Sequence, residues 1–301
     1  ACLICYARQL GRAEDEAGNW HEGILSMASL DHWDAVNKVS DVVQNRPRPL
    51  RDFDQIYMKT GDMVRQSEVV AAWANEKRLA FIGDGDAVSI CVAYLHKRGV
   101  LDFGPSKVTV FDFDERIVNS VKRFADKERL DNILDAKHYN VLDPFPDPGR
   151  FDLFYTNPPW GEHNGGESVN VFAQRGFEAT GYQGEGLLVI ADDDELPWAQ
   201  QVLANAQRFA SDRGYRVSQL QQKRHHYHLD VEIPSCNLFL RALPGNSRPE
   251  TPSGPIEPER LTNFYGLYQE PKVRYIRERA RPDYGKAADT EYELEFLEPK
   301  P

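Results

Sequence analysis

From Leu79 onward, short apolar runs alternate with longer amphipathic stretches, a pattern that leaves a chain few ways to bury itself. Each run is too short for a helix and too continuously apolar for a strand with one wet face, so it reads as a strand covered on both sides. Repeated strand-helix-strand units around a parallel sheet satisfy that pattern. Strands are predicted at Leu79–Ile82, Val108–Phe111, near Lys137–Tyr139, at Phe151–Tyr155 and at Gly186–Ile190. Helices are predicted at Val88–Leu95, about Glu115–Glu128, Ser168–Thr180 and Pro197–Asp212. Two further strands, Arg216–Gln222 and Asn237–Leu243, follow each other without a helix, as an antiparallel hairpin at one edge would. The expected class is α/β, a Rossmann-like, mostly parallel seven-stranded sheet.

A small helical region precedes the sheet. Trp33, Val36, Val39, Val42 and Val43 recur at helical spacing over Asp31–Val43, and Arg46-Pro47-Arg48-Pro49 ends that helix. A second helix is expected over Asp62–Lys77 with Met63, Val69, Val70 and Trp73 inward and Gln66 interrupting the stripe. The division read from these patterns is an N-terminal helical region (1–77, its first thirty or so residues partly a frayed leader), a catalytic domain (78–243), and a linker with a C-terminal extension (244–301). Pro244–Pro258 is the linker, and the charged tail carries Asn263-Phe264-Tyr265-Gly266.

Composition narrows the chemistry. With 41% hydrophobic residues over 301 positions, the chain can build a core without disulfides or metals. Cys2 and Cys5 form a lone C-x-x-C with no second pair at zinc spacing, and Cys91 sits in an apolar helical stretch. Free thiols in a reducing cytoplasm are expected, and no metal. No stretch has the apolar length of a membrane helix, and the first residues lack the pattern of a signal peptide. Lys and Arg total 36 against 47 Asp and Glu, a net charge of -11. Such a surface repels phosphate backbones and attracts cationic small molecules, so no nucleic-acid or membrane partner is expected.

In open α/β sheets the ligand lies outside the carboxyl ends of the strands, where the strand order reverses. After the first strand comes Gly83-Asp84-Gly85-Asp86, in which glycine lets the backbone approach a ligand and the next helix presents free N–H groups. An ordinary turn would also fit that quartet. The second strand ends Phe111-Asp112-Phe113-Asp114, the position from which an acid accepts hydrogen bonds from ribose hydroxyls. Two acids in the glycine turn disfavour a pyrophosphate and favour a sulfonium. Tyr139-Asn140-Val141 stands where adenine contacts are expected. The fourth strand ends Thr156-Asn157-Pro158-Pro159-Trp160, the most specific signal in the chain. The prolines fix the backbone, Asn157 can accept a hydrogen bond from an amine, and Trp160 suits a nitrogen that gains positive charge. Asp192-Asp193-Asp194-Glu195 after the fifth strand reads as a solvated helix N-terminus or, facing the cleft, as a polycation site. His225-His226-Tyr227-His228-Leu229-Asp230 reads as an exposed loop.

Taken in order, Arg46-Pro47, Phe53-Asp54-Gln55-Ile56-Tyr57 with Thr60 and Arg65, Gly83-Asp84-Gly85-Asp86, Asp112-Phe113-Asp114-Glu115-Arg116 and Asn157-Pro158-Pro159-Trp160 resemble the branched-chain polyamine synthases, or N4-bis(aminopropyl)spermidine synthases. The resemblance covers about Arg46 to Leu243. It implies a class I methyltransferase-like fold and transfer of aminopropyl groups from decarboxylated S-adenosylmethionine to a polyamine, at N4 of spermidine. It also implies catalytic roles for Asp86, Asn157 and Trp160. Gly83, Asp84, Gly85, Asp112, Asp114, Asn140 and Val141 would then hold the cofactor. Gln55, Tyr57, Pro158, Pro159, Asp192 and Asp193 would hold the acceptor. In that family the final acid of a Gly-Asp-Asp-Asp turn lies beside the attacking nitrogen, and Asp86 is its counterpart, although a helix cap would use Asp equally well. The chain departs from the family at Gly85 and Asn140, where acids are usual, and at Asn157, where the family has Asp-Pro-Pro. Asn-Pro-Pro-aromatic is also the signature of amino-methyltransferases, so an S-adenosylmethionine-dependent N-methyltransferase remains the alternative, with a noncatalytic cofactor-binding module third. A homodimer is among the assemblies this reading allows.

Overall fold

The computed structural model describes the backbone of residues 13–14 and 20–21 and the chain at 31–229, 232–247, 249–250, 253–280 and 291–297. Cys2, Cys5 and Asp230 lie outside the described residues, as does the expected leader apart from those two short pieces of backbone. The main sheet comprises β1 (Arg78–Ile82), β2 (Lys107–Asp112), β3 (Leu134–His138), β4 (Leu153–Thr156), β5 (Glu185–Ala191), β6 (Tyr215–His225) and β7 (Ser235–Ala242). Their spatial order is β3-β2-β1-β4-β5-β7-β6, with β7 antiparallel to both neighbours and the first five strands parallel. This is the seven-stranded Rossmann-like order of class I methyltransferases, and the edge hairpin read from the sequence is its β6–β7 pair. The order reverses between β1 and β4, which places the ligand crevice beyond those strand ends.

Helices cover both faces because alternate residues of each strand point to opposite sides. Leu79 and Phe81 of β1 join one core with α1 (His32–Asn45), α2 (Thr60–Trp73), α3 (Val88–Lys97) and α4 (Glu115–Glu128). Ala80 and Ile82 join the other, with α5 (Glu167–Ala179) and α6 (Pro197–Ser211). Asp31 caps α1 by accepting from the Trp33 and Asp34 N–H groups, and α6 opens on a proline that has no N–H to leave unpaired.

Two details depart from the sequence reading. The fully buried stripe of α1 is Ala35, Val39 and Val42, with Val36 and Val43 partly buried beside it, while Trp33 is 76% exposed because a 3.6-residue period puts it on the opposite side of the helix. Gln66 does not interrupt the inner face of α2; it is buried there and hydrogen-bonded to Asn237 and His225. Helices α1 and α2 share one core with the sheet.

The segment after β7 returns to the domain. Ile256 and Phe264 are buried against the α5–α6 face. An antiparallel ribbon of β8 (Val273–Ala280) and β9 (Glu291–Phe296) lies beside α4, where Glu278 accepts from Asn119 and Arg123. The Ile276 N–H donates to the Phe113 carbonyl, which fixes this ribbon next to the end of β2. Among the described residues, no helix is long and apolar enough to cross a membrane.

Candidate active site

The ends of β1, β2 and β4 open into a cleft whose empty space, counted out into open solvent, is about 840 Å³. Gly83 starts its floor at φ +75°, a conformation glycine adopts without strain, and its N–H donates to the Phe111 carbonyl. At Gly85 the constraint is space: a Cβ there would stand 3.0 Å from Cε1 of Tyr57. The Tyr57 ring therefore fills the position into which an acidic side chain at 85 would project.

The two acids of this turn have different partners. Asp84 accepts from the Val88 N–H (2.9 Å), the Ser89 N–H (3.1 Å) and the Ser89 hydroxyl, so it caps α3. Asp86 is not a cap. Its Oδ1 accepts from the Met58 N–H at 2.6 Å and its Oδ2 from Asn157 Nδ2 at 2.6 Å, across the cleft floor. Behind it, Arg46 donates to the Asp86 carbonyl and stacks over Tyr57, 4.3 Å from the ring centroid. Burial raises the Asp86 carboxyl above the usual aspartate value, and the Met58 N–H, Arg46 and Asn157 offset part of that rise.

Asp112 at the end of β2 accepts one backbone N–H on each oxygen, from Asp84 at 3.1 Å and Asp114 at 2.9 Å. Burial, reinforced by the charge of Asp114, pushes it up to about 7. Asp54, in the left-handed region at φ +55°, is likewise pushed to about 7 by burial. Asp54, Asp84, Asp86 and Asp112 line the cleft, and among the described residues no Lys, Arg or His does. Gln55, Tyr57, Val141, Pro158, Pro159 and Trp160 also line it, as the sequence reading expects, and so do Gly83, Gly85 and Asn157.

Four predicted site residues lie elsewhere. Asp114 is fully buried in a bidentate pair with Arg116 and also accepts from Gln55 Nε2, so it holds a lining residue without lining the cleft itself. Asn140 donates to the Arg274 carbonyl and accepts from the Leu142 N–H, which turns it away while its neighbours Tyr139 and Val141 face in. Asp192 is buried and accepts from the Lys223 N–H of β6, while Asp193 accepts from the Glu195 N–H within its own loop; neither lines the cleft.

Sequence reasoning missed the aromatic wall. Phe53, Phe113 and Tyr265 meet with ring centroids 5.4 to 6.4 Å apart, and Tyr265 comes from the stretch read as a charged tail. The adjacent pair Phe264-Tyr265 in a polar context was the available signal. The histidine-rich stretch is also not an exposed loop: His225 and Tyr227 are buried, Leu229 is partly so, and Tyr227 lines the cleft edge-on to Trp160. Inward residues alternate with His226 and His228, a period of two that marks extended chain. Among the described residues, no group of three or more His, Cys, Asp or Glu side chains could hold a metal ion.

Known proteins resemble this chain. Residues 34–279 match the family model of the branched-chain polyamine synthase A C-terminal domain. An uncharacterized protein of Methanocaldococcus jannaschii is 25% identical over 218 residues, 71% of this chain and 51% of its own length. The N(4)-bis(aminopropyl)spermidine synthase of Thermococcus kodakarensis is 25% identical over 146 residues, 47% of this chain and 38% of its own. The chain thus spans about half, or less, of the curated relatives it matches. The branched-chain polyamine synthase of Thermus thermophilus, in complex with N4-aminopropylspermidine and 5'-methylthioadenosine, superposes with a TM-score of 0.59 at 20% identity, covering 80% of this chain and 79% of that one. Its C9 mutein, in complex with the same two molecules, gives 0.63 at 19%, covering 87% and 82%. At these identities the structural likeness is one of fold.

Proposed function

Because this chain belongs to the family of branched-chain polyamine synthase A C-terminal domains, we propose that it is an aminopropyltransferase whose donor is decarboxylated S-adenosylmethionine and whose acceptor is a polyamine amine. The observation that carries this reading is the carboxylate lining of the cleft. Four aspartates line it without a basic side chain among the described residues, and a cation offsets the cost of ionising desolvated carboxylates. The ammonium of either donor suits that environment, whereas the α-carboxylate that only the intact methyl donor carries would enter a cleft of carboxylates with no cationic side chain among the described lining residues.

The residues present fit an adenosyl group. Asp112 has lone pairs beyond its two backbone contacts and would accept from the ribose diol. Phe111, Tyr139 and Val141 offer an apolar surface beside it. The donor supplies a carbon made electrophilic by the adjacent sulfonium.

The rest of the chemistry falls to the chain. A polyamine nitrogen is protonated at neutral pH and must lose that proton before it can attack. Asp86 takes it: burial raises the basicity of this carboxylate, and the resulting acid remains bonded to Met58 and Asn157. Asn157 cannot act as a base, but its Oδ1 can accept the remaining amine N–H and turn the lone pair toward the donor. The rings of Tyr57, Trp160 and Tyr227 stand by the nitrogen as its positive charge returns. Within this reading the acceptor is the secondary amine of spermidine, N4. The Asn157-Pro158-Pro159-Trp160 signature supports N-methyl transfer to an exocyclic amine as the second reading. Incubating purified protein with each donor and a panel of polyamines, and reading product masses, separates the two. Aminopropylated polyamine supports the first, and methylated product with the intact donor overturns it.

A further inference from the structure

A line of buried polar side chains leaves the cleft at Asn157 and crosses the core to the β6–β7 edge. Asn157 Nδ2 meets Asp86 at 2.6 Å and the Tyr227 hydroxyl at 3.4 Å, the longest link. The Tyr227 hydroxyl lies 2.9 Å from Ser235 Oγ, and Ser235 Oγ lies 2.9 Å from His225 Nδ1. His225 Nε2 is 2.7 Å from Gln66 Oε1, and Gln66 pairs with Asn237 through both atoms of each amide at 2.9 Å. Asn237 also donates to Gln221 at 3.2 Å. Tyr227, Ser235, His225, Gln66 and Asn237 are each at most 2% exposed, a place where polar groups are costly unless every one finds a partner.

Hydrogen-bond chemistry fixes the direction of each link, starting from the carboxylate. Ionised Asp86 only accepts, so the Asn157 group facing it is the NH2. That NH2 also donates to Tyr227, whose own hydrogen then goes to Ser235. Ser235 has one hydrogen, and it goes to His225 Nδ1. His225, kept neutral by burial, therefore carries its proton on Nε2 and donates to Gln66 Oε1. The Gln66–Asn237 pair is left with the only amide orientation consistent with that donor.

We infer that His225, Ser235 and Tyr227 form a positioning relay that acts together with Asp86 to hold the Asn157 amide with Nδ2 inward and Oδ1 toward the cleft, so that the site accepts N–H donors. The inference rests on the proposed reading of the cleft as an amine site. Were the amide to flip, its NH2 would confront the amine's own hydrogens. Ser235 does not line the cleft, so it acts only through Tyr227 and His225.

Two measurements test the relay. Nitrogen-15 spectra of the histidine-labelled protein should show His225 as the neutral Nε2–H tautomer. A neutral Nδ1–H tautomer or a charged ring overturns the relay whatever the substrate. Ser235→Ala removes the central hydroxyl from a small buried site. It should weaken spermidine binding in the presence of methylthioadenosine about 10-fold, the size of one net hydrogen bond, leave methylthioadenosine affinity unchanged, and be rescued by Ser235→Thr. Equal spermidine affinity in Ser235→Ala and wild type overturns the inference. A wild-type protein that binds no amine overturns the amine-site reading and the relay's purpose with it, while the tautomer records separately whether the hydrogen-bond directions were right.

Discussion

Asp112→Asn removes a carboxyl that burial and the charge of Asp114 have pushed from 3.8 to about 7. Between those values the folded protein keeps a proton that the unfolded chain has released, so stability falls as pH rises, by ~1.4 kcal/mol per pH unit. Across roughly three units the penalty reaches ~4 kcal/mol, absent below about pH 4 and complete above about pH 7. Asn at this position relieves the penalty but turns an NH2 toward one of the two N–H groups that Asp112 accepts, at a cost of ~1–3 kcal/mol. Ligand-free Asp112→Asn should therefore be less stable than wild type at pH 4 and equal to it or more stable at pH 8. Over that range the difference between the two should shift by ~4 kcal/mol in urea unfolding. The same substitution should weaken methylthioadenosine binding by ~10- to 100-fold at pH 8, the contribution of a hydrogen bond to a charged acceptor. Parallel pH profiles for the two proteins, or unchanged affinity by calorimetry, would refute the placement of Asp112 as a desolvated carboxylate holding a diol.

Other substitutions test separate parts of the site. Asp86→Asn should lower kcat by ~10²- to 10⁴-fold, the usual contribution of a general base, with a retained folded circular dichroism spectrum because Asp84, not Asp86, caps α3; near-normal turnover at any pH where wild type is active would exclude Asp86 as the base. Gly85→Asp should destabilise the fold by ~1–3 kcal/mol, since its Cβ would press on the Tyr57 ring; in Tyr57→Ala the same change should cost less, and an identical cost in a double-mutant cycle would contradict the steric account. Tyr265→Ala should weaken methylthioadenosine binding several-fold through loss of ~0.5–1.5 kcal/mol of aromatic packing, and no change in calorimetry would remove the 263–266 segment from the donor site.

Much of this architecture was legible because its signals are local. The doubly covered strands β1, β2, β4 and β5 read as continuous apolar runs, and α4 was placed at about Glu115–Glu128, the bounds the structure gives it. The cleft was legible at Gly83–Asp86, Asp112 and Asn157–Trp160 because topology puts those strand ends together. What sequence could not show was where polar side chains turn once other partners compete for them. Asp114 went to Arg116, Asn140 to the ribbon through Arg274, and Asp192 to the Lys223 backbone. All three of those partners lie in other segments or depend on local geometry that no spacing rule encodes. Tyr265 and Tyr227 were hidden for the same reason, since each enters the cleft from a segment whose packing is decided by long-range contacts.

Whether this carboxylate-lined cleft passes an aminopropyl group to an amine is read most directly from product mass. Purified protein is incubated with spermidine and either decarboxylated or intact S-adenosylmethionine. Aminopropylated spermidine and methylthioadenosine are expected with the decarboxylated donor, and no methylated amine with the intact one. Methylated product from the intact donor, with no aminopropyl transfer from the other, would contradict the proposed function.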